Sequence, residues 1–187
     1  MKKGTIALII VLGILAVIIF ACIGSYNGLV SLKSEVDNSF SNISVQLQRR
    51  ADLIPNLVNT VKGYAAHETE VITAVSDARA KLAGANTPAE MAEADNELSS
   101  ALSRLLVVVE NYPDLKANTQ FTALMDELAG TENRIAVARK DYNDTVTKYN
   151  KTIKTFPRVI FANIFGFESQ PLFEADESAK KAPNVQF

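Results

Sequence analysis

The stretch LVSLKSEVDNSFSNISVQL, residues 29–47, decides the fold because its apolar residues recur at intervals of three and four. This interval matches the period of an α helix, whereas a half-buried strand would alternate apolar and polar residues. Similar series continue through residues 54–82, 91–109 and 121–156. The sequence therefore predicts an all-α protein. The apolar positions of the first stretch are Leu29, Leu32, Val36, Phe40, Ile43 and Leu47.

Turn signals divide these series into separate helices. Gly-Ala-Asn at residues 84–86 ends one series, and Thr-Pro-Ala-Glu at residues 87–90 opens the next. Thr87 can cap that helix, Pro88 suits its first position, and Glu90 completes a capping box. Asn-Tyr-Pro-Asp at residues 111–114 ends it. We therefore predict an antiparallel up-and-down helical bundle of about four long helices in residues 25–157.

Two positions allow alternative helix boundaries. Pro55 either kinks one long helix or opens a new helix after a turn near residues 52–55. The turn is favoured because it divides the chain into helices of more similar length, as bundles prefer. Gly130 either breaks the last long helix, with Thr131 as a cap, or lies in the interior of that helix.

An apolar run, TIALIIVLGILAVIIFACIG, occupies residues 5–24 and contains no charged side chain. Twenty helical residues span about 30 Å, which is the thickness of the hydrocarbon core of a bilayer. The run is longer than the apolar region of a signal peptide. We therefore predict one N-terminal transmembrane helix that stays in the membrane lipid and precedes the bundle. A lipoprotein anchored through Cys22 is the alternative.

The short basic N-terminus, residues 1–4, sets the expected orientation. Lys2 and Lys3 precede the apolar run, and the next basic residue is Lys33. Because positive charge favours the cytoplasmic side of a membrane, we expect the N-terminus in the cytoplasm and the domain outside. The sequence thus predicts a single-pass protein of the cell membrane with an extracytoplasmic domain.

The tail, residues 158–187, differs in character from the bundle. It starts with a very apolar segment that predicts a short helix and turn, and residues 175–187 are expected to be extended or loosely ordered. Monomers rarely leave an apolar patch of this size exposed. We expect the segment to cover the bundle end, with contact to the membrane or to another subunit as the alternatives. Its candidate interface residues are Val159, Ile160, Ile164, Phe165 and Phe167.

The composition excludes several kinds of chemistry. The 187 residues include one histidine, one cysteine and no tryptophan, so a Cys/His zinc site and an intramolecular disulfide cannot form. No second histidine follows His67 at helical spacing, and no phosphate-binding glycine motif occurs. With Lys2 and Lys3 removed from the 19 basic residues, 17 remain against 21 acidic ones. We expect no cofactor, no metal and no nucleic-acid partner.

Four charged residues lie on or near the inward faces of the predicted helices, namely Arg50, Asp52, Glu132 and Arg134. The main interpretation is an ion-pair network between helices, which fixes register more than it adds stability. A solvated face and a substrate site are the alternatives.

Two Tyr-Asn pairs, at residues 142–143 and 149–150, lie seven residues apart and share one helix face. We interpret both pairs as structural.

Six longer strings of the sequence form a recognisable series. They are YNGLVSL at residues 26–32, VQLQRRADLIPNLV at 45–58, VKGYAAHE at 61–68, TENRIAVARKDYN at 131–143, FPRVIFANIFGF at 156–167 and PNVQF at 183–187. These strings resemble motifs of the LemA family and occur in that family's order from the anchor to the carboxyl terminus. One departure is Phe40, at a position where the family often has tryptophan.

The resemblance implies a bacterial protein with an N-terminal membrane segment, an α-helical bundle and no established catalytic activity. Genes of the family often lie beside a membrane zinc protease of the HtpX type or a TPM-domain protein, which makes these two candidate partners. We therefore predict a non-enzymatic, membrane-anchored scaffold or adaptor of the bacterial envelope. A homo-oligomeric structural protein is the first alternative. An enzyme based on carboxylates and arginines is the second.

Overall fold

Helices form all the regular structure in residues 3–173, the part of the chain that the computed structural model describes. The all-α prediction is therefore confirmed for these residues, whereas the prediction for residues 175–187 lies outside them. The helices are α1 (Lys3–Lys62), α2 (Thr69–Gly84), α3 (Pro88–Val109), α4 (Pro113–Lys116), α5 (Thr119–Lys154) and α6 (Arg158–Phe165).

The first helix begins in the apolar run and continues into the amphipathic stretch that follows. Among the described residues, α1 is the one helix long and apolar enough to cross a membrane. An 18-residue window within it has a mean hydropathy of 3.0, and none of that window is buried inside the protein. This helix fits single-pass membrane anchoring.

The predicted turn near Pro55 is wrong, because α1 contains Pro55 and ends only at Lys62. A proline inside a helix leaves the carbonyl four residues earlier without its N–H partner. That carbonyl belongs to Ala51, and it accepts a hydrogen bond of 3.3 Å from Nε of Arg79 on α2. Ile54 and Leu57 are buried on either side of the proline. The replacement hydrogen bond and this burial let the helix continue.

The other helix boundaries follow local signals. Thr87 accepts a hydrogen bond from the Glu90 N–H at 3.2 Å, and the Glu90 carboxylate accepts one from the Thr87 N–H at 3.1 Å. The capping box predicted for α3 is therefore confirmed. Gly130 lies in the interior of α5, and the Thr131 hydroxyl donates to the Leu128 carbonyl at 2.7 Å.

Contacts divide the chain into two compact units, and α1 and α5 contribute to both. The first unit comprises Met1–Asn38 and Asp144–Gln170. The second unit comprises Ser39–Asn143 and, of the described residues after Gln170, residues 171–173. The core of the first unit includes Leu29, Val36, Val146, Tyr149 and Ala162, and that of the second includes Ile43, Ile54, Leu57, Val75, Leu98, Leu105, Ile135 and Tyr142.

Candidate functional site: a buried ion cluster and the residues that hold the tail

The most unusual feature of the second unit is a carboxylate in its core. The side chain of Asp95 on α3 is 1% exposed, and that of Arg50 on α1 is 6% exposed. Nη1 of Arg50 donates to Oδ1 of Asp95 at 2.5 Å, and Nη2 of Arg50 donates to the Ser99 hydroxyl at 3.0 Å. Arg139 on α5 donates to Oδ2 of the same carboxylate. One buried carboxylate thus receives two guanidinium groups from two different helices.

Burial raises the pKa of Asp95, because a low-dielectric surrounding disfavours the charged carboxylate. The positive charges of Arg50 and Arg139 oppose this upward pKa shift. Glu132 on α5 is the second carboxylate of the cluster, with Oε2 at 2.7 Å from Nη1 of Arg50. We call Arg50, Asp95, Glu132 and Arg139 the ion cluster. Each of its two carboxylates is paired with arginine, an arrangement suited to holding helices in register.

Only two of the four charged residues singled out in the sequence, Arg50 and Glu132, meet in this cluster. Asp52 is exposed and accepts a hydrogen bond of 2.7 Å from Gln48 on its own helix. Arg134 is half-exposed and lies 3.4 Å from Glu127 on α5. Neither of them joins the ion cluster.

Sequence reasoning missed Asp95 and Arg139, although both carry a signal. Asp95 lies three residues before Leu98 on the apolar stripe of α3, and Arg139 lies four residues after Ile135 on that of α5. A charged residue at a position that the period assigns to the core predicts a buried pair. Since any arginine or carboxylate elsewhere could be its partner, the spacing alone does not identify the pair.

Next to the ion cluster, the second unit holds residues 171–173 of the tail. Phe173 is 2% exposed, and the guanidinium carbon of Arg139 lies 5.0 Å from the centre of its ring. The Asn143 amide accepts from the Phe173 N–H at 2.8 Å and donates to the Phe173 carbonyl at 3.0 Å. The Tyr142 hydroxyl donates to the Pro171 carbonyl at 2.9 Å. We call Arg139, Tyr142 and Asn143 the tail clamp.

The first unit contains the same asparagine device. The Asn150 amide accepts a hydrogen bond from the Gln170 N–H at 2.8 Å and donates one to the Gln170 carbonyl at 2.8 Å. In each unit, then, an asparagine from a Tyr-Asn pair forms two hydrogen bonds with the backbone of one tail residue. The seven-residue spacing predicted a shared helix face, but it did not indicate that the face holds an extended segment.

The apolar segment of the tail is not buried. Ile160, Ile164 and Phe165 are 48%, 68% and 42% exposed. Val159 and Phe167 are half-buried. The expectation that this segment covers the bundle end is therefore wrong for Ile160, Ile164 and Phe165, whereas Val159 and Phe167 pack in part against the first unit. The physical reason is that α6 is only eight residues long, and a helix this short turns only one narrow face toward its unit.

Sequence reasoning also weighed a metal role for His67, which is exposed. Among residues 3–173, no group of three histidine, cysteine, aspartate or glutamate side chains could hold a metal ion. The one cysteine, Cys22, is half-exposed within α1 and forms no disulfide.

The apolar N-terminal helix and the all-α structure of residues 3–173 define a membrane-associated helical protein. The chain belongs to the LemA family, whose profile matches residues 39–187. The resemblance seen in the sequence is therefore confirmed.

Relatives from several bacteria agree with this assignment. Magnetosome protein MamQ 2 of Paramagnetospirillum magneticum is 29% identical over 200 residues, which cover 92% of this chain and 74% of that protein. MamQ of Magnetospirillum gryphiswaldense is 27% identical over 201 residues, with the same coverage of 92% and 74%. Protein LemA of Metamycoplasma hominis is 26% identical over 159 residues, or 84% of this chain and 73% of that protein. None of these names denotes an enzyme.

Proposed function

We propose that this protein is a non-enzymatic, membrane-anchored adaptor of the bacterial envelope that binds an extended segment of a protein partner. Its N-terminus lies in the cytoplasm and its domain outside the membrane, as Lys2 and Lys3 favour. The single observation that carries the proposal is the tail clamp. Tyr142 and Asn143 donate to backbone carbonyls, Asn143 also accepts from a backbone N–H, and every extended polypeptide offers such backbone groups.

The domain that presents this clamp is an antiparallel helical bundle. In the second unit, Asp95 connects α3 to Arg50 on α1 and to Arg139 on α5. The short connection at residues 85–87 favours antiparallel packing of α2 and α3. A bundle fixed in this way supplies a rigid surface on which an extended segment can bind at low entropic cost.

A partner segment binds by exchange with the protein's own tail. Phe173 fills the aromatic position under Arg139, while the side chain of Leu172 is 45% exposed. The clamp therefore selects an aromatic residue at one position and tolerates variation at the preceding one. A membrane zinc protease of the HtpX type and a TPM-domain protein are the partners to test first.

A labelled peptide with the sequence of residues 169–175 tests the exchange on the full-length protein in lipid nanodiscs. The Phe173→Ala variant, whose own tail is weakened, is expected to bind the peptide more tightly than the wild type. Adding Asn143→Leu is expected to abolish that binding, and a peptide with alanine in place of its phenylalanine serves as the control. Equal binding by both variants, or none by Phe173→Ala, would contradict the clamp.

A photoreactive phenylalanine analogue in place of Tyr142, which lies in the clamp itself, tests the adaptor function in intact cells. We expect a covalent product that contains a second, different protein and is lost in the Asn143→Leu variant. A product with twice the mass of the chain would instead mean that the clamp holds the tail of a second copy. That outcome would favour the homo-oligomeric structural protein over the adaptor.

A further inference from the structure

Within residues 3–173, one side of α6 in the first unit is exposed. Ile160, Ile164 and Phe165 are 48%, 68% and 42% exposed, and Phe156, just before the helix, is 77% exposed. Ala162 is the residue of α6 that is buried against the unit. Exposure of such an apolar face to water is unfavourable, so we expect another apolar surface to cover it.

The contacts of α6 place it close to the membrane anchor. The rings of Phe165 and Phe167 lie 5.0 Å and 6.0 Å from the ring of Tyr26, in edge-to-face geometry. Tyr26 follows the apolar run of residues 5–24 by two positions, and α1 is helical throughout. At about 1.5 Å of rise per residue, Tyr26 lies about 3 Å beyond the end of the run. In a bilayer spanned by residues 5–24, these aromatic rings would lie at the depth of the lipid headgroups.

We propose that α6 lies in the interface of the bilayer that α1 spans, with Ile160, Ile164 and Phe165 inserted among the lipids. Aromatic residues concentrate at this depth because their rings are apolar and their edges tolerate water. A short amphipathic helix buries its apolar face about 5–10 Å into the boundary between headgroups and acyl chains. Arg158, the first residue of α6, can extend to the phosphate layer. We favour lipid over a second protein copy because α1, which anchors the protein, already holds the exposed face of α6 next to the bilayer.

This inference goes beyond the proposed adaptor function and does not depend on the tail clamp. It can be tested directly, because the protein contains no tryptophan. An Ile164→Trp variant therefore carries a single tryptophan at an exposed position, and its fluorescence can be excited selectively over that of the tyrosines. The matched control is Val107→Trp, since Val107 on α3 is 71% exposed and belongs to the second unit. Both full-length variants are reconstituted in phosphatidylcholine vesicles that contain lipids brominated at defined depths.

The probe at residue 164 is expected to lose about half of its fluorescence with bromine at shallow depth, while the probe at residue 107 keeps its intensity. An unquenched probe at 164 would overturn the proposal. Blue-shifted emission without quenching, together with crosslinked dimers, would show that a second copy covers α6 and would also overturn it. Equal quenching of both probes would remove the special role of α6. Circular dichroism of each variant confirms that the helices are retained.

Discussion

The two units hold the tail in the same way but differ in what lies at their centres. In the first unit the pairs Lys33–Asp37 and Lys148–Glu35 lie at the surface. In the second unit, Arg50 and Asp95 lie inside the core. An exposed pair contributes little because water screens it, whereas a buried pair becomes costly as soon as one partner is missing. We therefore expect the second unit to depend on its charges and the first on its apolar contacts.

The largest effect is expected from Asp95→Ala, which leaves Arg50 and Arg139 without their shared carboxylate. The loss should lower the free energy of unfolding by about 3–5 kcal/mol. Denaturant unfolding of the full-length protein in detergent, followed by circular dichroism, measures it. The control is Asp37→Ala in the first unit, which should cost less than about 1 kcal/mol. Similar losses for the two variants would remove the contrast between the units.

Variants of Asn143 and Asn150 test whether the two units hold the tail in the same way. Asn143→Ala and Asn150→Ala each remove two hydrogen bonds to the tail backbone, and each should weaken tail binding by about 2 kcal/mol. Hydrogen exchange should show faster exchange of the Phe173 amide in the first variant and of the Gln170 amide in the second. If one variant released both amides, the two units would not hold the tail independently.

A smaller effect is expected at Pro55, in the part of α1 that belongs to the second unit. Arg79→Met removes the hydrogen bond to the Ala51 carbonyl and should cost about 1 kcal/mol. In a Pro55→Ala background the helix supplies its own N–H to that carbonyl, so the same change should cost nearly nothing. Unfolding free energies of the four proteins in this double-mutant cycle give the coupling. A coupling of zero would mean that Arg79 does not compensate for the proline.

The smallest effect concerns helix starts, at which α3 and α6 differ. α3 has the capping box of Thr87 and Glu90, whereas α6 follows Pro157 without a side-chain cap. Hydrogen bonds from the backbone N–H groups of Asn86 and Thr87 lower the pKa of Glu90 below its ordinary value. The stabilisation by this carboxylate is therefore present above that ordinary value and is lost as the pH falls through the lowered pKa. Glu90→Gln should flatten the acid limb of the stability curve, and an unchanged limb would contradict the cap.

Several features of this protein can be predicted from the sequence alone, because they depend on residues that are close together in the chain. The three-and-four spacing from Leu29 to Leu47 predicts helix, since residues at these intervals share one face. The apolar run at residues 5–24 predicts the anchor by its length alone. Thr87 and Glu90 are three residues apart, so their mutual capping is readable from the sequence. The resemblance to the LemA family likewise depends only on strings of neighbouring residues.

Tertiary structure alone decided the features whose partners lie far away in the chain. Arg50 meets Asp95 at a separation of 45 residues, Arg79 meets the Ala51 carbonyl at 28, and Asn143 meets Phe173 at 30. A helical period predicts that a position is buried. It does not predict which distant group pairs with the charge of that residue or forms its hydrogen bonds. For the same reason the sequence predicted a turn at Pro55, because the replacement donor on α2 becomes a neighbour only after folding. Tertiary structure also decided the exposure of α6, because a short apolar helix is buried only on the face that packs against its unit.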